Sequence, residues 1–168
     1  MTKAYFNETQ RFRQIWIFLI ILITIGGWGY AVFTSITAEQ ETEKAGSDLT
    51  MILLSIIPLA LIFLLLKLKL ATRVRNDGIY FRFSPFHRKE KHIRPDEINT
   101  FEVRKYKPIS EYGGWGIRVR GGKRGIAYNV SGNMGLQLYL KNGKKTLIGT
   151  QKPVELQKAM EEMMGKEG

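Results

Sequence analysis

Few residues in this chain have side chains and spacings suited to catalysis or metal binding. His87 and His92 lie in a basic stretch with Asp96 nearby, but no further ligand follows at a usual metal-site spacing. Cysteine is absent, which excludes disulfides, thiolate zinc sites and thiol nucleophiles. No serine stands in the Gly-x-Ser-x-Gly context of a hydrolase nucleophile. The sequence therefore predicts surface histidines, no metal, no cofactor and no enzymatic activity.

Two glycine-rich stretches, 113–116 and 121–125, raise the question of a nucleotide site. Neither matches a phosphate-binding loop or a dinucleotide fingerprint, and neither opens a predicted helix. Both are interpreted as turns that connect strands. Tyrosines interleave with basic residues, as in nucleic-acid-binding proteins, but no nucleic-acid motif accompanies them. We therefore expect no nucleic-acid partner.

Positive charge is the chemical feature that stands out. The formal net charge is +11, and residues 67–168 carry most of the lysines and arginines. Several arginines occupy outward positions of predicted strands, where they are either an ordinary solvated face or a contact surface for anionic headgroups or a protein partner. These candidate contact residues are Arg73, Arg75, Arg82, Arg118 and Arg120.

Two apolar stretches near the N-terminus predict membrane spans. Residues 15–33 contain no charge, and the stretch from residue 50 reaches a spanning length if it is counted to Leu70. A cleaved signal peptide is disfavoured because the first stretch exceeds the usual 7–15 apolar residues. A buried helical hairpin is disfavoured because neither stretch has a polar face.

Lysine and arginine counts in the flanks predict the orientation. They place both termini of this two-span protein in the cytoplasm and the acidic loop outside. The predicted organisation is a cytoplasmic segment 1–14, a transmembrane helix 15–33, an acidic extracytoplasmic loop 34–49, a transmembrane helix 50–70 and a cytoplasmic domain 71–165.

The cytoplasmic domain alternates apolar and polar residues with period two. Asn76-Asp77-Gly78 and Asn142-Gly143 predict tight hairpin turns between such stretches. After Pro153 the period changes to that of an amphipathic helix with a cluster of methionines, which we interpret as core filling. The predicted fold class is α+β: two transmembrane helices, then an antiparallel β-sandwich or partly open barrel of about seven or eight strands, capped by a C-terminal helix.

This pattern resembles the pleckstrin-homology fold, and more specifically a bacterial pleckstrin-homology-like membrane protein with a two-helix hairpin before the domain. The resemblance rests on Tyr112–Arg118, Tyr128–Leu136 and Leu147–Pro153 and covers about residues 70–165. It implies a fold and a location, that of a multi-pass protein of the bacterial inner membrane with both termini in the cytoplasm, but no activity. In eukaryotic relatives of this fold, phosphoinositides bind basic residues around the first two strands, the region of Arg73, Arg75 and Arg82 here.

The expected function is that of a non-enzymatic, membrane-anchored module. Its basic domain would bind anionic phospholipid headgroups at the inner leaflet or organise a membrane complex. The alternative is a subunit that contacts a membrane protein partner, or a second copy of itself, without binding lipid. An enzyme of an unrecognised type is a third hypothesis, which no residue pattern supports.

Overall fold

The computed structural model of the protein describes residues 4–12, 15–37, 56, 59–60, 62–121 and 125–165. The chain forms two compact units. One joins Met1–Phe12 to Leu68–Gly168, and the other is Arg13–Lys67. The N-terminal segment therefore belongs to the same unit as the residues after position 68, although 55 residues separate the two pieces in the chain.

The unit Arg13–Lys67 contains helix α1, Ile15–Thr37. Residues 56, 59–60 and 62–67 are also helical. Large apolar side chains of α1 are exposed, with Ile23 and Tyr30 showing 72% and 71% of their surface. Residues 38–50, which cover most of the predicted acidic loop, lie outside the described residues.

The prediction of two transmembrane helices is contradicted. Within the residues that the structure describes, no helix combines the length and the apolar character needed to cross a membrane. The second predicted span reached full length only by including Leu68 and Leu70, and both are buried in the sheet unit instead. The assignments to the membrane, to the bacterial inner membrane and to a multi-pass topology are corrected with it.

The sheet unit contains two sheets. Sheet A is an antiparallel meander in the order β1-β2-β3-β4. Its strands are β1 (Ala4–Arg11), β2 (Lys69–Arg75), β3 (Gly78–Ser84) and β4 (Lys91–Ile93). The β2–β3 hairpin turns at Asn76-Asp77, and Gly78 follows with a φ of +139°. A Cβ atom at Gly78 would collide with the carbonyl oxygen of Ile93, so this position requires glycine.

Sheet B has the order β5-β8-β9-β7-β6. Its strands are β5 (Ile98–Lys105), β6 (Gly116–Arg120), β7 (Gly125–Asn129), β8 (Met134–Leu140) and β9 (Lys145–Thr150). All its pairings are antiparallel except the one between β7 and β9, which is parallel. A 3-10 helix, Pro95–Glu97, precedes β5, and a short helix α2, Pro108–Tyr112, connects β5 to β6. Helix α3, Pro153–Met164, follows β9.

The predicted fold class is therefore wrong in several respects. The described residues form a mostly β structure of nine strands in two sheets, where seven or eight antiparallel strands were expected. The additional strand is β1, whose inward residues are Phe6, Glu8 and Gln10. Because two of those three are polar, this segment carries no apolar alternation from which a strand could be predicted.

Helix α3 closes the core of the unit. It packs on β1 and β2 of sheet A and on β5 and β8 of sheet B. Its inward face follows the spacing expected from the sequence, and the methionines fill the core as predicted. The buried residues of this face are Leu156, Ala159, Met160 and Met163.

Polar groups of β1 connect it to the end of β9. The Thr150 hydroxyl donates to Glu8 Oε2 at 2.7 Å, and the Gln151 amide donates to Glu8 Oε1 at 2.8 Å. Gln10 Nε2 donates to the Gly149 carbonyl at 2.7 Å. Glu8 and Gln10 are both buried, so these bonds satisfy the Glu8 carboxylate and the Gln10 Nε2 donor, which would otherwise be costly to desolvate, whereas Gln10 Oε1 has no partner among the described residues.

We expect Leu156→Ala to lower the free energy of unfolding by about 2–5 kcal/mol, because it leaves a cavity at a fully buried position between α3 and the sheets. Val154→Ala is the matched control, since Val154 lies on the same helix with 63% of its surface exposed, and it should change the value by less than about 0.5 kcal/mol. Urea denaturation of the full chain measures both. Equal effects of the two variants would contradict this packing.

We expect Glu8→Ala to lower the free energy of unfolding by about 1.5–3 kcal/mol, because Thr150 and Gln151 lose a charged hydrogen-bond acceptor in a buried site. Asn7→Ala is its control on the same strand, because Asn7 is exposed on the opposite face. Hydrogen exchange of the β9 amides should accelerate in the first variant alone. Unchanged exchange in Glu8→Ala would show that β1 does not hold β9.

Candidate binding surfaces

The five arginines proposed from the sequence fall into two groups on different sheets. Arg73 and Arg75 lie on β2 and Arg82 on β3, all on the face of sheet A that points away from the core. Arg118 and Arg120 lie on β6, an edge strand of sheet B. The structure therefore brings the first three together and does not join them to the other two.

Two further cations complete the first group. Arg11 of β1 stands directly opposite Lys69 of β2, and both share the outward face with Arg73 and Arg75. Arg82 pairs with Ala71, which makes it a diagonal neighbour of Lys69 and Arg73. We call this set the basic face: Arg11, Lys69, Arg73, Arg75 and Arg82. Sequence reasoning missed Arg11 because β1 was not predicted.

The basic face contains little negative charge. Arg73 forms an ion pair with Glu90, which precedes β4. Among the described residues, no carboxylate forms an ion pair with the other four cations. Like charges directly opposite each other, such as Arg11 and Lys69, destabilise a strand pair. Local stability therefore gives no reason for this concentration of cations.

Aromatic rings pack at one end of the basic face. The Arg75 guanidinium lies 5.3 Å from the centre of the Tyr80 ring, and His92 stacks on Tyr80 at 4.2 Å between ring centres. The Tyr80 hydroxyl donates to Asp77 Oδ2 at 2.6 Å. This hydrogen bond lowers the pKa of Asp77 and raises the pKa of Tyr80. The charges of His92 and Arg75 also lower the pKa of Asp77, so this carboxylate stays ionised at the end of the basic face.

Two arginines of the basic face have unused donors. The Nε atoms of Arg75 and Arg82 are buried and have no hydrogen-bond partner among the described residues. Unsatisfied buried donors are uncommon in proteins and call for a physical explanation. Because both Nε atoms are buried, an anion at the surface does not reach them, and they do not by themselves identify a ligand.

The two arginines on sheet B have a different setting. Arg118 Nε donates to the Trp115 carbonyl at 3.0 Å, and both guanidinium groups lie near the turn Gly113-Gly114. Val119 between them is 73% exposed, although its alternation predicts an inward side chain. The hairpin of β6 and β7 therefore exposes this residue on the side that the sequence assigns to the core.

The two histidines have different surroundings. Within the described ranges, no group of three or more metal-ligating side chains occurs. His92 is exposed, whereas His87 is half-buried and accepts the Phe83 amide at 3.3 Å on Nδ1. Burial, and then the charge of Lys91, lowers the pKa of His87 and favours its neutral form. The expectation of two solvated histidines thus fits His92 better than His87.

An open cleft of about 530 Å³ lies beside α2 and was not anticipated from the sequence. Lys105, Lys107 and Trp115 contribute to its lining. The carboxylate in its wall, Glu111, accepts the Lys107 amide at 2.7 Å and Arg104 Nη2 at 2.9 Å. Burial is the largest single influence and would lower the pKa of Arg104, but the hydrogen bond and charge of Glu111, with smaller contributions from Tyr112 and Glu102, together raise that pKa. Glu111 is therefore committed to holding α2 in place.

Known proteins supply no further guide to these surfaces. No family model, no curated protein and no solved structure matches the chain.

Proposed function

We propose that the sheet unit is a non-enzymatic binding module whose basic face contacts anionic phospholipid headgroups at a bilayer surface. The observation that carries this proposal is the collection of five cations on three adjacent strands with one ion-paired carboxylate among them. The resemblance to pleckstrin-homology-like domains, which stays a prediction, points to the same strands.

The shape of the basic face favours a surface as its ligand. Strands lie about 4.8 Å apart and rise about 3.3 Å per residue, so the face extends roughly 10 Å across the strands and 20 Å along β2. Its cations stand on the outer side of a sheet rather than around a cavity. A flat array of this kind contacts several headgroups at once and gives little selectivity between headgroups of equal charge.

The expected affinity is low. A basic residue near an anionic leaflet contributes about 1 kcal/mol. Arg73 is already paired with Glu90, so four cations supply about 4 kcal/mol, which corresponds to a dissociation constant near 1 mM. Binding should decrease with salt, because the screening length shortens from about 10 Å at 0.1 M to about 3 Å at 1 M.

Vesicle co-sedimentation of the full chain tests this proposal. The measured quantity is the ratio of binding to vesicles of phosphatidylglycerol mixed with phosphatidylcholine over binding to phosphatidylcholine alone. This ratio cancels apolar partitioning of the exposed side chains of α1, which does not depend on headgroup charge. We expect Arg75→Gln with Arg82→Gln to lower the ratio by up to about 30-fold, since two contributions of about 1 kcal/mol are lost.

The control is Arg118→Gln with Arg120→Gln, which removes the same charge from sheet B. We expect this pair to leave most of the ratio intact. An equal loss in both double variants would mean that binding follows net charge rather than the basic face. A ratio of one for the unaltered chain at low salt would favour the alternative of a protein partner without lipid.

We expect Glu90→Gln to raise the same ratio by about fivefold, because it frees Arg73 and removes a negative charge from the basic face. Asp96→Asn is the control, since Asp96 neutralises Arg94 outside the basic face. A decrease in Glu90→Gln would show that Glu90 positions Arg73 for binding instead of competing with the ligand.

A further inference from the structure

Strand β6 is the end strand of sheet B and, among the described residues, pairs with β7 alone. An edge strand presents unpaired backbone N–H and C=O groups, which are a template for another strand. Residues 118–120 of β6 are all exposed, whereas Gly116 and Ile117 are half-buried.

The other edge strands described are shorter or less exposed than β6. Strand β4 has three residues, a length that offers little to pair with. Strand β1 buries every second side chain from Phe6 to Gln10 and packs against α3. Strand β5 buries Ile98 and keeps Phe101 and Val103 half-buried. Among the described edge strands, β6 is thus the one with three consecutive exposed residues.

Charge on β6 indicates what kind of strand would fit. Arg118 and Arg120 share one face and stand opposite the small neutral residues Ala127 and Gly125 on β7. Neither arginine takes part in an ion pair among the described residues. Their guanidinium groups lie over Gly113 and Gly114, where an added Cβ would come within 3.0 and 3.3 Å of them.

We propose that β6 binds an extended acidic segment of another protein as an added strand. Carboxylates at alternate positions would accept hydrogen bonds from Arg118 and Arg120, and apolar residues between them would cover Val119. The backbone of the segment would pair with the free edge of β6, which is strand addition as seen in peptide recognition. A second copy of β6 is a poor occupant, because self-pairing sets arginines against arginines.

Fluorescence anisotropy with the full chain and a synthetic peptide of alternating Glu and Val tests the proposal. In a strand, successive N–H groups point to opposite edges. Two N-methylated versions of this peptide are therefore prepared, one methylated at the Glu amides and the other at the Val amides. We expect one to bind like the parent and the other to lose binding. Equal binding of the two, or no binding of the parent peptide at low salt, would overturn strand addition.

Charge-swap variants test the role of the arginines. We expect Arg118→Glu with Arg120→Glu to weaken binding of the acidic peptide by about tenfold or more. The same double variant should instead bind a peptide of alternating Lys and Val. Lys141→Glu with Lys144→Glu is the control, because both lysines are exposed on the β8–β9 turn and the net charge changes equally. An equal loss in the control would assign the binding to overall charge and reject β6 as the site.

Discussion

The sheet unit depends on the attachment of β1 to the end of β9. Glu8 and Gln10 place a carboxylate and an amide in the interior, and their partners come from residues 149–151, at the opposite end of the sequence. Buried polar groups of this kind are favourable only with their hydrogen bonds made. The same strand supplies Arg11 to the basic face and part of the surface on which α3 packs.

Elements with a local signal were predictable from the sequence. The Asn76-Asp77-Gly78 turn, the alternation of β3 and the spacing of α3 each depend on neighbours in the chain. Strand β1 was not predictable, because its inward Glu8 and Gln10 become acceptable only through partners on β9. The second predicted span failed for a related reason. Leu68 and Leu70 are buried in the sheet unit, and a count of apolar residues cannot distinguish a buried strand from the end of a membrane-spanning helix.

The candidate binding residues show the same division. Alternation placed Arg73, Arg75 and Arg82 correctly on an outward face, because alternation is a property of each strand alone. Whether they join Arg118 and Arg120 depends on which strands pair, and the parallel contact of β7 with β9 places β6 at the far edge of another sheet. Val119 is exposed for a related reason. Alternation predicts on which side of the sheet a side chain lies, but it does not predict whether another element covers that side.

The register of β1 with β2 has a consequence for the architecture of the chain. Arg11 and Lys69 are direct partners, and paired Cα atoms in antiparallel strands lie about 5 Å apart. The chain therefore leaves the sheet unit and returns to it at one point, so Arg13–Lys67 is an insertion at the end of a β-hairpin. A two-residue Asn-Gly turn has the right span to close that hairpin. Replacing the residues between Arg11 and Lys69 with such a turn would yield a continuous nine-stranded chain that retains Glu8, Gln10 and the whole basic face.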